Sequence, residues 1–149
     1  MNLEMNTTSV NSTETNAIEK VKSNINNESD TVLMSGPVGK GIHFIVKAIG
    51  AGKNTIICDA DTIKDAKTVH EVFRDARKKP SILVFEDVDQ LFNKHDKRIA
   101  NPNLSESKLD AFFNEMIAVK DIIAIGITHN IENVNDEVMT CFNKMITVE

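Results

Sequence analysis

The 149-residue chain is 41% hydrophobic and 26% charged, the balance of a single globular domain with a sizeable core. Its net charge of −5 argues against a nucleic-acid or anionic-membrane surface, where basic residues would dominate. No apolar run is long enough to cross a bilayer, so no membrane insertion is expected, and the N-terminus lacks the basic start and apolar core of a secretory signal.

Residues 1–30 are rich in Asn, Ser, Thr and Glu and poor in apolar groups, so a disordered N-terminal tail is expected there. Within it, Ile18, Val21 and Ile25 share one side of a short helix over 17–25. From residue 31 onward, apolar strand-like runs alternate with helical patterns. The runs at 31–34, 55–59, 82–85, 122–127 and 145–148 are apolar on both faces, as strands of a covered parallel sheet should be. Helices are expected over 42–49, 63–78, 104–117 and 133–140, the third carrying a core-facing stripe of Leu109, Phe112, Phe113 and Met116. Pro80 closes the second of these helices, and the polar stretch 93–103, which contains Pro102, reads as an exposed loop. The alternation predicts a doubly wound α/β domain over 31–149 with a five-stranded parallel sheet. Cys58 and Cys141 lie far apart, in or beside apolar segments, and are expected to be free core thiols of an intracellular protein, cytoplasmic or nuclear.

The chemistry sits at the ends of strands. Between the first strand and first helix of the α/β domain lies a glycine-rich turn, the setting in which G-x-x-x-x-G-K-[ST] holds phosphate on backbone N–H groups. Gly36 and Gly41 have the spacing of that motif, with Pro37, Val38, Gly39 and Lys40 between them, but Ile42 and His43 stand where Lys and Ser or Thr belong. A second string, "GAGKNT" at 50–55, follows a helix and precedes a strand, the reverse order, and reads as a helix stop and turn. After the third strand come adjacent acids, Glu86 and Asp87, with Asp89 beyond them. Acids at the C-terminal end of a parallel strand lie where open α/β sheets bind ligands, and a helix N-terminal charge pair is the plainer alternative. His70 and His95 read as surface residues, and Arg74 and Arg77, beside Glu71 and Asp75, as a solvated helix face.

Taken together, these segments resemble the α/β half of an AAA ATPase module. "SGPVGKG" resembles the family's G-P-P-G-T-G loop. "VHEVFRDARKKPSILVFEDVDQLFNKHDKR" resembles its helix, Walker B strand and following turn, with Asp89 at a second acidic position. "IIAIGITHNIENVNDEVMTCFNKMITV" resembles its sensor strand, short helix and final strand. The resemblance spans 31–149 and implies a P-loop NTPase fold of AAA type. It also implies ATP or ADP with Mg²⁺ as weakly held ligands on residues 36–43, and other AAA subunits or adaptor proteins as partners.

The departures from the family fall on its chemistry. Ile42 occupies the slot of the phosphate-binding Lys, a charge-assisted contact worth about 1.5–3 kcal/mol. His43 occupies the slot of the hydroxyl that meets Mg²⁺, an ion that prefers oxygen. The Walker B pair is inverted to Glu86 and Asp87. Glu86 is the candidate to hold metal through water, and Asp87, one methylene short, is the candidate catalytic carboxylate. His129 takes the sensor slot as a third candidate catalytic residue, and Thr140 and Cys141 take the slots of the arginine fingers. No aromatic stands where the family grips substrate in its pore, and no helical lid domain is expected after the last strand. The resemblance implies a degenerate ATPase-like domain that binds nucleotide weakly or without hydrolysis, or acts as an interaction module. Two alternatives stand beside it. One is a divergent Mg-ATP-hydrolysing enzyme using Lys40, Glu86, Asp87 and His129, and the other is a truncated or decayed copy with no independent activity.

Overall fold

Short aliphatic runs with no polar face are satisfied only inside a sheet covered on both sides. In the computed structural model, which describes residues 6–25, 29–98 and 105–149, the runs at 31–35, 81–85 and 122–128 become fully buried strands of such a sheet, while the edge run at 54–58 leaves Ile57 exposed. Its strands are β1 (Asn6–Val10), β2 (Thr31–Ser35), β3 (Asn54–Cys58), β4 (Ser81–Phe85), β5 (Ile122–Thr128) and β6 (Lys144–Val148). The helices are α1 (Ala17–Asn24), α2 (Ile42–Ile49), α3 (Ala66–Ala76), α4 (Val88–Leu91), α5 (Lys108–Ile117) and α6 (Asp136–Met139), with a 3₁₀ turn at Ile131–Asn133. The strand order is β1-β6-β2-β5-β4-β3, and every neighbouring pair is parallel.

The doubly wound α/β architecture expected from the sequence is therefore present, with one correction to the sheet. It has six strands rather than five. The additional strand, β1, comes from the stretch expected to be a tail and pairs with β6 from Asn6↔Lys144 to Val10↔Val148. An edge strand needs backbone partners more than apolar side chains, which is why composition under-reads it. Val10 is nonetheless fully buried, and its carbonyl accepts from the Glu149 N–H at 2.7 Å. The expected start of the third helix of the α/β domain at 104, and the end of the polar loop at 99–103, lie outside the described residues.

The period-2 alternation of the strands divides the core in two. Ile82 and Val84 of β4, with Ile123, Ile125 and Ile127 of β5, face the layer containing Val21 of α1 and Ile42, Ile45 and Val46 of α2. Leu83 and Phe85 of β4, with Ile122 and Ala124 of β5, face Val69 and Phe73 of α3 and Leu109, Phe112 and Met116 of α5. Phe112 is the hub of this second layer, with ring centroids 4.7 Å from Phe92 and 5.0 Å from Phe85, the latter edge-on. Gly126 makes room for this aromatic cluster: a Cβ there would stand 2.5 Å from Cζ of Phe142.

Polar groups fix the register of β2 and β6. The buried Asp30 carboxylate accepts from Lys144 Nζ at 2.8 Å, and the same ammonium donates to the Asn24 carbonyl at 2.6 Å. Next to it, the Asn143 N–H donates to Thr31 Oγ1 at 2.9 Å. A second polar cluster joins α3 to α5 and corrects the reading of His70 and Arg77 as plain surface residues. His70 places Nδ1 2.6 Å from Glu115 and Nε2 2.6 Å from Glu106, and Arg77 donates to Glu115 at 2.8 Å. A ring whose two nitrogens both face carboxylates donates from both, which is the imidazolium form.

Two expectations follow. Gly126→Ala overpacks the aromatic layer and lowers stability by about 1–3 kcal/mol in urea unfolding. The hydrogen bond to Glu115, then that to Glu106, raise the His70 pKa above its ordinary value. Its stabilising contribution is therefore complete below about pH 6.5 and fades as pH climbs through the raised folded-state value. Melting curves across pH 6–9 should show this loss in the wild type and a flatter profile in His70→Gln.

Candidate functional site

Parallel strands end on the same edge of the sheet, so the segments after β2, β4 and β5 meet there. Gly36, the first residue after β2, leaves no space for a side chain: a Cβ would stand 2.4 Å from the Val148 carbonyl oxygen. Its N–H donates to the Thr128 carbonyl at 3.3 Å, and its own carbonyl meets His129 Nδ1 at 2.9 Å. The loop then turns through Pro37, Val38, Gly39 and Lys40, all exposed, to Gly41. Gly39 and Gly41 have φ of 88° and 80°, the left-handed region that glycine enters without cost, and a Cβ at either would meet nothing within 4 Å. Gly41 is the N-cap of α2, and no side chain caps that helix, so its first-turn N–H groups face the loop. A turn of this shape fits a phosphate group.

Ile42 turns inward beneath the loop, with its Cδ1 3.3 Å from where a Cβ on Gly36 would stand. Its side chain is 2% exposed and packs with Ile45 and Val46 in the core layer under α1 and α2. Lys40 lines a smaller cavity of about 390 Å³, between the loop and residues 12–18, that also touches Ile18 and Phe44. On the opposite side a cleft of about 830 Å³ is lined by Val38, Asp87, Asp89, Lys94 and His129, among others. Lys40 and the acids Asp87 and Asp89 thus line different cavities.

The structure brings the expected acid and histidine candidates together, in two different settings. Glu86 turns toward the start of α2, where His43 Nε2 lies 3.0 Å from its Oε1. Asp87 lines the large cleft from a left-handed backbone, φ 50° and ψ 56°, at the N-cap of α4 without making a side-chain cap bond. His129 lines the same cleft, and because a carbonyl only accepts, its Nδ1 is the donor to Gly36 and its Nε2 keeps the lone pair when the ring is neutral. The His43 and His129 ring centroids are 6.0 Å apart.

Mg²⁺ does not fit what the chain offers here. The side chains nearest its family slot are the His43 imidazole and the Glu86 carboxylate, whereas Mg²⁺ takes oxygen donors in a near-ideal octahedron, which an imidazole does not supply. Among the described residues, no group of three or more His, Cys, Asp or Glu is placed to hold a metal ion unaided.

Other contacts at the site were not legible in the chain. Asp89 accepts from the buried Thr128 hydroxyl at 2.9 Å, fastening α4 to the end of β5. The buried Asn135 amide donates to the carbonyls of Asn93 and Asp96 at 2.9 and 2.7 Å, and so pins part of the stretch expected to be a plain exposed loop. Lys94, in that stretch, supplies the cleft's ammonium and donates to the Glu132 carbonyl at 2.8 Å. Polar runs of this kind carry no periodicity to announce such contacts. At the end of α6 the Thr140 hydroxyl donates to the Glu137 carbonyl at 2.7 Å, and burial pushes the Cys141 thiol up to about 12. Burial, with Asp59 nearby, likewise pushes Cys58 up to about 12, so both thiols are inert core groups. "GAGKNT" is the helix stop and turn expected of it, with Gly50 as the C-cap of α2 and Gly52 at φ 83°.

The left-handed backbone at Asp87 has a measurable consequence. Asp87→Gly should keep wild-type stability, whereas Asp87→Val should lose about 1–2 kcal/mol in urea unfolding, since a branched Cβ clashes in that conformation.

Comparison with known proteins bears on the whole arrangement. No curated protein matches the chain. Among solved structures it is similar to the crystal structure of the FIGL-1 AAA domain in complex with ADP, with a TM-score of 0.58 and 21% identity over 80% of this chain and 42% of that one. That likeness is one of fold, and the chain spans less than half the length of that structure. The family described as "ATPase family associated with various cellular activities (AAA)" matches residues 32–149, a span that contains the loop, the acid pair and His129. By that match the chain belongs to the AAA family.

Proposed function

We propose that this chain binds nucleotide weakly on its phosphate loop without competent hydrolysis, and serves as an interaction module for other AAA subunits or adaptor proteins. The observation that carries this reading is Ile42, which fills core space in the slot where the family resemblance places a phosphate-binding Lys. What remains for the anion is backbone: the left-handed glycines and the uncapped first turn of the eight-residue α2. These supply N–H donors and the positive end of a helix dipole. Losing one charge-assisted contact of about 1.5–3 kcal/mol weakens affinity by about one to two decades.

Turnover is disfavoured by a different set of residues. Asp87 is held by a left-handed backbone at the cleft and is one methylene shorter than the catalytic carboxylate it resembles, and a displacement of about 1 Å costs roughly 10²-fold in rate. Neither Thr140 nor Cys141 carries the cation that would stabilise phosphoryl charge in a neighbouring subunit. The protein's use is then in the surface it presents, with the loop reporting whether an anion is bound.

Equilibrium titration with a fluorescent ATP analogue tests this directly, since the chain has no Trp or Tyr to interfere. Wild type should bind weakly and release no phosphate. Ile42→Lys, whose longer side chain must leave the core to reach the loop, should bind about 10–100-fold more tightly while lowering stability in urea unfolding. Phosphate release by the wild type that is abolished in Asp87→Asn would overturn this reading in favour of a divergent ATPase.

A further inference from the structure

The contact between His43 and Glu86 is made by side chains from two separate elements, at the point beside the phosphate loop where the family resemblance places the metal. Nε2 of His43 and Oε1 of Glu86 are 3.0 Å apart. That is also the separation of two adjacent donors around a six-coordinate ion: bonds of about 2.1 Å at right angles put the donors about 3.0 Å apart. Both side chains are accessible from solvent, at 57% and 29% exposure, so an ion can enter without rearranging the core.

We propose that His43 and Glu86 form a two-ligand seat for a divalent transition cation that takes six ligands, of the Co²⁺ or Ni²⁺ class, in place of Mg²⁺. Imidazole nitrogen is a donor these ions favour and Mg²⁺ does not. The chain supplies two donors only, in keeping with the absence of any three-residue group among the described residues. The remaining positions go to water and to phosphate oxygens of a nucleotide on the loop, and this last clause rests on the function proposed above. Binding replaces the proton that His43 Nε2 shares with Glu86, so the ion takes up an existing contact rather than opening a new one. The His129 ring lies 6.0 Å from that of His43, with its Nδ1 tied to the Gly36 carbonyl. Such a bond is the usual way a protein fixes which imidazole nitrogen keeps its lone pair.

Two titrations on the full chain test the seat and separate it from the reading it extends. In the first, Co²⁺ alone is added and followed by its visible absorption. The wild type should develop a band that is lost in His43→Ala and in Glu86→Gln. In the second, a fluorescent ADP analogue is titrated in EDTA, Mg²⁺ or Co²⁺. The wild type should bind at least about 10-fold tighter with Co²⁺ than with Mg²⁺, and His43→Thr, which restores an oxygen donor, should reverse that order. Equal analogue affinity in all three conditions would overturn the cation seat and leave nucleotide binding standing. No analogue binding in any condition would overturn the nucleotide reading; a Co²⁺ band lost in His43→Ala would then still support the seat, and one unchanged in His43→Ala would overturn it.

Discussion

Strand β2 is hydrogen-bonded on both sides, to β5 from Thr31↔Ala124 to Ser35↔Thr128 and to β6 from Val32↔Lys144 to Ser35↔Thr147. The site is built from the end of that strand. Because all three strands run the same way, the chain must leave β2 beside the ends of β5 and β6, and there is no room there for a side chain. Gly36 answers both demands: its N–H continues the pairing with Thr128, and its missing Cβ leaves space for the Val148 carbonyl. The Asp30–Lys144 pair holds the other end of the same strands in register. A buried carboxylate that lost this ammonium would be left without its charge partner, so the pair specifies alignment more than it adds net stability.

On the function proposed here, the loop and the acids play different parts. The backbone parts of the phosphate cradle persist because they are also structural. The turn needs left-handed glycines to pass from β2 into α2, whatever it binds. The side chains make structural contacts of their own: Ile42 packs in the core, His43 meets Glu86, and the Thr140 hydroxyl bonds its own helix end. The fold itself depends on glycines, strands and apolar stripes, not on which polar groups line the site.

Asp87 is the exception on the acid side. It keeps a left-handed conformation that costs backbone energy, makes no cap bond for α4, and lines the large cleft with Asp89 and Lys94 close by. Strain of this kind persists only where the surroundings hold it, here the pairing of β4 with β3 and β5 on one side and the Thr128–Asp89 bond on the other. The cleft therefore has a shaped, charged wall beside the glycine loop.

Much of this was legible in the chain because it depends on local pattern. Apolar runs without a polar face announced the core strands, the 3.6-residue stripe of Leu109, Phe112, Phe113 and Met116 announced α5, and glycine spacing announced the loop. The order of strand, loop and helix at 31–49, against helix, turn and strand at 42–58, separated the phosphate turn from "GAGKNT" by direction alone. The strand β1 was not legible, since a polar edge strand is held by backbone bonds to β6, more than a hundred residues away. Nor were the contacts of His43 with Glu86, Asp89 with Thr128 and His70 with two glutamates, each between elements far apart in the chain. Periodicity and turn chemistry are properties of neighbours in sequence, so the sequence by itself determined the sheet's core, its helices and the shape of the loop. Which polar side chains face one another depends on how parallel strands and helices are stacked, and only the tertiary structure decided that.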